Sequence, residues 1–169
     1  MGCSARNGGV GHAMVVRVLV DDGRDQECAE EFAAEFVSRL VDDRPAMRAV
    51  ALTTDTSILT AVANDYGFER LFARQIEVLG QAGDVFLAIS TSGNSPNILR
   101  ALVQCRDLGL VTIGLTGRTG GKMPPLCDYC LRVPSGVTMC IHQAHLALEH
   151  IFSLLVERRY FAAKPAAKG

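Results

Sequence analysis

The chain has 169 residues, enough for one domain with a substantial core. Its 49% hydrophobic and 21% charged residues are ordinary for a globular protein, and a formal net charge of -1 leaves no basic stripe for nucleic acid. No uninterrupted apolar run reaches the length of a membrane span, and Met14–Val20 is too short for a signal-peptide core before Asp21 and Asp22 interrupt it, so a cytoplasmic protein is expected.

Residues 1–14 are glycine-rich and expected to be poorly structured. Val15–Val20 reads as a short apolar strand, and 26–40 as a helix with Ala29, Phe32, Ala33, Phe36 and Leu40 on one face. Strand 48–53 follows, then helices over 57–63 and 69–79 separated by the turn Asn64-Asp65-Tyr66-Gly67. The buried run 85–89 is a strand, 97–107 a helix stopped by Gly109, and 111–115 another strand. Residues 116–121 form a loop, 129–133 a fifth strand, and 139–159 a long last helix, with 161–169 as a frayed tail. Six cysteines fit reduced thiols, and Cys127 and Cys130 form a C-x-x-C with no second pair at zinc-ribbon spacing, which favours plain packing.

Apolar strands that alternate with helices specify an α/β domain over 15–160. The expected architecture is a doubly wound, flavodoxin-like, five-stranded parallel sheet with helices on both faces. Ligands in such folds sit beyond the carboxyl ends of the strands. The loops at that edge are 21–25, 53–57, 90–95 and 116–121.

The loop 90–95 is the most informative. Strand 85–89 empties into Ser90-Thr91-Ser92-Gly93-Asn94-Ser95, and a helix follows. Free backbone N–H groups and the positive end of a helix dipole suit a phosphate, and the hydroxyls add donors without charge. No Gly-Lys-Ser/Thr ending and no G-x-G-x-x-G is present, so a sugar phosphate fits better than a nucleotide. The plainer use of these serines is turn capping, but four hydroxyls in six residues exceed what one cap needs.

The stretches Ala49–Ser57, Asn64–Glu69, Gly83-Asp84, Ser90–Ser95, Gly114–Gly117, Gly120–Met123, Arg132–Pro134 and the Phe32–Phe36 helix belong together. Taken as a set they resemble the sugar isomerase (SIS) domain, and within it the phosphoheptose isomerases. The resemblance implies conversion of sedoheptulose 7-phosphate to D-glycero-D-manno-heptose 7-phosphate, in bacterial heptose and cell-surface lipopolysaccharide synthesis, by a homo-oligomer, a tetramer. It implies that Ser90, Thr91, Ser92 and Ser95 bind phosphate, that Asn64 and Asp65 contact the sugar, and that Glu35 and His150 are the acid/base pair. A carboxylate and an imidazole suit proton transfer between C1 and C2 through an enediol. A rival implication is a non-catalytic scaffold like the DnaA-initiator-associating protein.

Some members bind zinc through four residues that align with Glu31, Glu35, His142 and His150. Glu31 and Glu35 share a helix face, whereas His142 and His150 stand two turns apart, ~12 Å along the axis. One ion is thus expected to take both histidines only if a second subunit supplies one. After the first strand the family's Gly-Asn-Gly-Gly-Ser-Ala becomes Asp21-Asp22-Gly23-Arg24-Asp25-Gln26. An Asp25 carboxylate ~4 Å from a phosphate charge costs roughly 1 kcal/mol in water and about 4 at an effective dielectric near 20, a repulsion that Arg24 would offset. Residues 1–14 are too few for the long helix that precedes the first strand in that family.

Overall fold

The computed structural model describes residues 15–20, by their backbone, and 26–161. The expectations for 1–14, for the 21–25 loop with Arg24 and Asp25, and for 162–169 lie outside the described residues. Strands and helices alternate as β1 (Val15–Val20), α1 (Gln26–Val37), β2 (Arg48–Ala51), α2 (Thr56–Tyr66), α3 (Leu71–Leu79), β3 (Val85–Ser90), α4 (Pro96–Leu108), β4 (Val111–Thr116), β5 (Tyr129–Arg132) and α5 (Thr138–Phe161).

The sheet is parallel with order β2-β1-β3-β4-β5. That order reverses direction between β1 and β3, so the loop leaving β3 stands at the switch point where such folds bind ligands. β3 explains its own apolar run. Phe86 and Ala88 pack under α3 and α4 with Ile98 and Leu102, while Leu87 and Ile89 pack under α1 and α5 with Phe32 and Phe36. A strand covered on both faces has no solvent side to keep polar.

Several element ends differ from expectation, each through a tertiary contact. α1 stops at Val37 rather than residue 40 because Arg44 caps it: Nη2 donates to the Glu35 carbonyl at 2.7 Å and Nη1 to that of Phe36 at 3.0 Å. The chain beyond then wraps the buried Glu157 carboxylate, which accepts from the amides of Leu40, Val41 and Asp42 and from Arg44 Nε at 2.9 Å. β2 ends at Ala51 because the next carbonyl, Leu52, accepts from Gln75 Nε2 at 3.0 Å. The expected helix 69–79 is a 3-10 turn, Phe68–Arg70, followed by α3. Phe161, assigned to the tail, belongs to α5 and lies under the Arg44 guanidinium, 5.4 Å from its ring centre.

In α5, Thr138–Arg159 is long and apolar enough, by length and composition, to cross a membrane. Its protein-facing side nevertheless carries a polar stripe: His145, Glu149, Ser153 and Glu157, each buried and spaced one helical turn apart. Such groups are costly in lipid. Cys127 and Cys130 are free thiols packed against Gly114, where an added Cβ would stand 2.8 and 3.4 Å from their sulfurs. Burial, with Cys130 beside it, pushes the Cys127 thiol up to about 12, so it stays protonated and packs as a small apolar side chain.

Candidate active site

Two glycine loops build the carboxyl edge of the sheet by interlocking. Gly93 has φ +65°, and a Cβ there would collide with the Gly120 carbonyl oxygen. A Cβ on Gly121 would stand 2.5 Å from the carbonyl oxygens of Ser92 and Gly93. Only glycine permits that approach. Gly117 N–H donates to the Thr91 carbonyl at 3.1 Å and Lys122 N–H to that of Gly93 at 2.8 Å, so the loop after β3 is stitched to the loop after β4.

Between these loops lies a polar cavity of about 470 Å³. Thr91, Ser92 and Asn94 form one wall, Gly117–Thr119 a second, and Ser135, Gly136, Thr138 and Ile141 a third. The hydroxyls predicted to bind phosphate divide by role. Thr91 and Ser92 line the cavity. Ser90 is fully buried beneath it, and its Oγ accepts from Gly93 N–H at 3.0 Å, holding the turn closed. Ser95 occupies the N-cap of α4 and makes no side-chain cap bond, but it is not among the residues that line the cavity. Asn64 and Asp65 are not among the lining residues: they sit exposed at the end of α2, Asn64 Nδ2 donating to Asp65 Oδ1 at 3.0 Å. Asp55 caps α2, accepting from Ile58 N–H at 2.9 Å.

The acid/base candidates meet between α1 and α5. His150 Nε2 stands 3.2 Å from Glu35 Oε1 and 3.7 Å from Glu31 Oε1, all within one chain. Glu35 is 8% exposed, and its Oε2 is buried without a hydrogen-bond partner. Glu31 and the His150 ring are more open, so the pair is reachable from solvent while its carboxylate is held in a partly dry setting. Proton traffic between a carboxylate and an imidazole at this separation is geometrically direct.

Glu31, Glu35 and His150 also satisfy the first requirement of a divalent-metal centre, since one ligand atom from each lies within 4.8 Å of the others. The donor set, two carboxylates and an imidazole, suits zinc or a harder first-row ion, and the unpartnered Glu35 oxygen supplies a free acceptor. These residues fit such an ion. His142 is not in the group, as expected for a residue two turns away.

The third cavity wall, with Ser135, Gly136 and Thr138, carries no sequence motif, although its segment leaves the carboxyl end of β5 and so reaches this edge. Arg118, within the 116–121 loop, also lines the cavity and carries no motif of its own. His145, at one end of the buried α5 stripe, is fully enclosed. Burial, with His142 nearby, lowers its pKa to about 4 against an opposing contact with the Thr116 backbone, so it is neutral at physiological pH.

The fold is a parallel α/β sheet with a hydroxyl-rich loop at its switch point, and the SIS domain family model matches residues 22–117. The chain belongs to the SIS domain family. Among its relatives, the phosphoheptose isomerase of Aneurinibacillus thermoaerophilus is 52% identical over 147 residues, covering 87% of this chain and 74% of that protein. Phosphoheptose isomerase 2 of Campylobacter jejuni is 52% identical over 144 residues, covering 85% and 72%. Among solved structures, a phosphoheptose isomerase from Francisella tularensis superposes with a TM-score of 0.81 at 34% identity, covering 85% of this chain and 77% of that one.

Proposed function

We propose that the protein is a phosphoheptose isomerase that interconverts sedoheptulose 7-phosphate and D-glycero-D-manno-heptose 7-phosphate by proton transfer through an enediol. The observation that carries this reading is the Glu35–His150 pair, 3.2 Å apart, in a chain whose relatives at 52% identity are phosphoheptose isomerases. One member of the pair takes a proton from C1 of the ketose while the other gives one to O2, forming the enediol. O1–H then loses its proton as C2 gains one, which yields the aldose and restores both side chains. Thr91 and Ser92, which line the cavity, hold the phosphate, Ser95 adds a hydroxyl from the start of α4, and Ser90 shapes their loop from below.

Glu31, Glu35 and His150 would hold zinc, and His142 would join them only from a second copy in a homo-oligomer, a tetramer. Bound there, the ion would act as a Lewis acid toward the sugar's oxygens. The exposed Met139, Ile151 and Leu155 of α5 support an assembly built on that helix. The place of action is the cytoplasm, in supply of heptose for the bacterial cell surface.

The test is incubation with sedoheptulose 7-phosphate, with and without zinc, following aldose formation. Turnover that disappears in Glu35→Gln supports the proposal. Tight binding of the sugar phosphate with no turnover in the wild type would instead identify a scaffold. For the metal, calorimetric titration with zinc is expected to show binding that His150→Ala removes.

A further inference from the structure

We propose that Arg118 is the electrostatic anchor of the phosphate, the residue that makes the hydroxyl pocket select a charged ligand. This rests on the reading of that pocket as the phosphate site. Arg118 is the one charged side chain among the described residues that line the cavity; the other polar lining groups are hydroxyls and the Asn94 amide, all neutral. Hydroxyls orient a phosphate but leave its two negative charges uncompensated. The backbone at 117–118 is pinned to both neighbouring walls: Gly117 N–H to the Thr91 carbonyl at 3.1 Å, and Arg118 N–H to the Ser135 carbonyl at 3.0 Å. The guanidinium is steadied by one bond, Nη2 to the Pro134 carbonyl at 3.2 Å. A guanidinium carries five N–H donors, so the remainder stay available for the bidentate pairing with phosphate oxygens that Arg makes and Lys does not.

This arrangement separates two tasks. The loop after β3 supplies shape, and Arg118 supplies charge from the loop after β4. Because the guanidinium is charged at every accessible pH, the phosphate's own second ionisation, near pH 6, should set the pH dependence of binding.

The experiment uses the full chain and inorganic phosphate as the probe, titrated calorimetrically, with Arg118→Gln, Arg118→Lys and Ser92→Ala compared to wild type and their folding checked by thermal melting. Arg118→Gln is expected to weaken phosphate binding roughly tenfold and to flatten its rise with pH through the second ionisation of the phosphate probe. It should raise the KM for sedoheptulose 7-phosphate by a similar factor with kcat within about twofold, and Arg118→Lys should recover part of the loss. If Ser92→Ala weakens phosphate binding while Arg118→Gln does not, the pocket reading stands and the role given to Arg118 is wrong. If both variants bind phosphate as the wild type does, the phosphate reading of the pocket falls and takes this inference with it. Should Arg118→Gln fail to fold, Arg118→Lys decides, since unchanged affinity and pH profile there overturn the bidentate anchor.

Discussion

At the scale of single residues, Glu35 holds an oxygen out of water with nothing to bond it. A buried, unsatisfied acceptor costs roughly 1–3 kcal/mol, more when charged, so its presence argues for use rather than for stability. Glu35→Gln should therefore lower kcat by ~10²–10⁴ while leaving the melting temperature equal or higher; steady-state kinetics and a melt on the same sample check both halves. Gly93 makes the opposite prediction. Gly93→Ala forces a Cβ into the Gly120 carbonyl, and a rigid backbone contact cannot yield as a flexible side chain can. The variant should lose ~1–3 kcal/mol of stability or displace the loop after β4, visible as a lowered melt and weakened phosphate binding. The hydroxyls of the Ser90–Ser95 loop were legible in the sequence because composition alone marks them. That Ser90 turns under the loop while Thr91 and Ser92 face the cavity was not, since both uses take the same residue types.

At the scale of elements, α5 ties the molecule together. Near one end it borders the cavity through Thr138 and Ile141, midway it presents His150 to α1, and near its last turn Glu157 organises the 38–44 segment. The strands and most helices could be read because each has its own period, but the end of α1 could not. It is set by Arg44 and Glu157, 113 residues apart in the chain, and no local pattern announces that pair. Burial pushes the Glu157 carboxyl up, but bonds from Val41, Asp42, Arg44 and Leu40 outweigh it and hold its pKa below the ordinary 4.5. A carboxylate with a lowered folded-state pKa contributes stability above its unfolded pKa, lost as pH falls through the folded one. The wild type should thus exceed Glu157→Gln in stability at pH 7, by ~3 kcal/mol for a broken buried pair, and the gap should narrow below about pH 4.5. Chemical denaturation of both proteins at pH 7 and at pH 3.5 measures it.

At the scale of the whole molecule, the hydroxyl-lined cavity and the Glu35–His150 pair are separate places joined by one helix. Ile141 lines the cavity, and His150 is nine residues further along α5, ~13 Å by helical rise. A zigzag seven-carbon chain places C1 about 10 Å from its phosphorus, from ordinary bond lengths. With contact distances of ~3 Å at each end, a seven-carbon sugar phosphate can bridge that separation.

The most direct measurement is proton NMR of sedoheptulose 7-phosphate in deuterated water with the wild type, Glu35→Gln and His150→Gln. Loss of carbon-bound proton signal at C1 with growth of the deuterated aldose is predicted for the wild type alone. Conversion at the wild-type rate in Glu35→Gln, or a wild type that binds the sugar phosphate and leaves C1 untouched, would contradict an isomerase built on this carboxylate and imidazole.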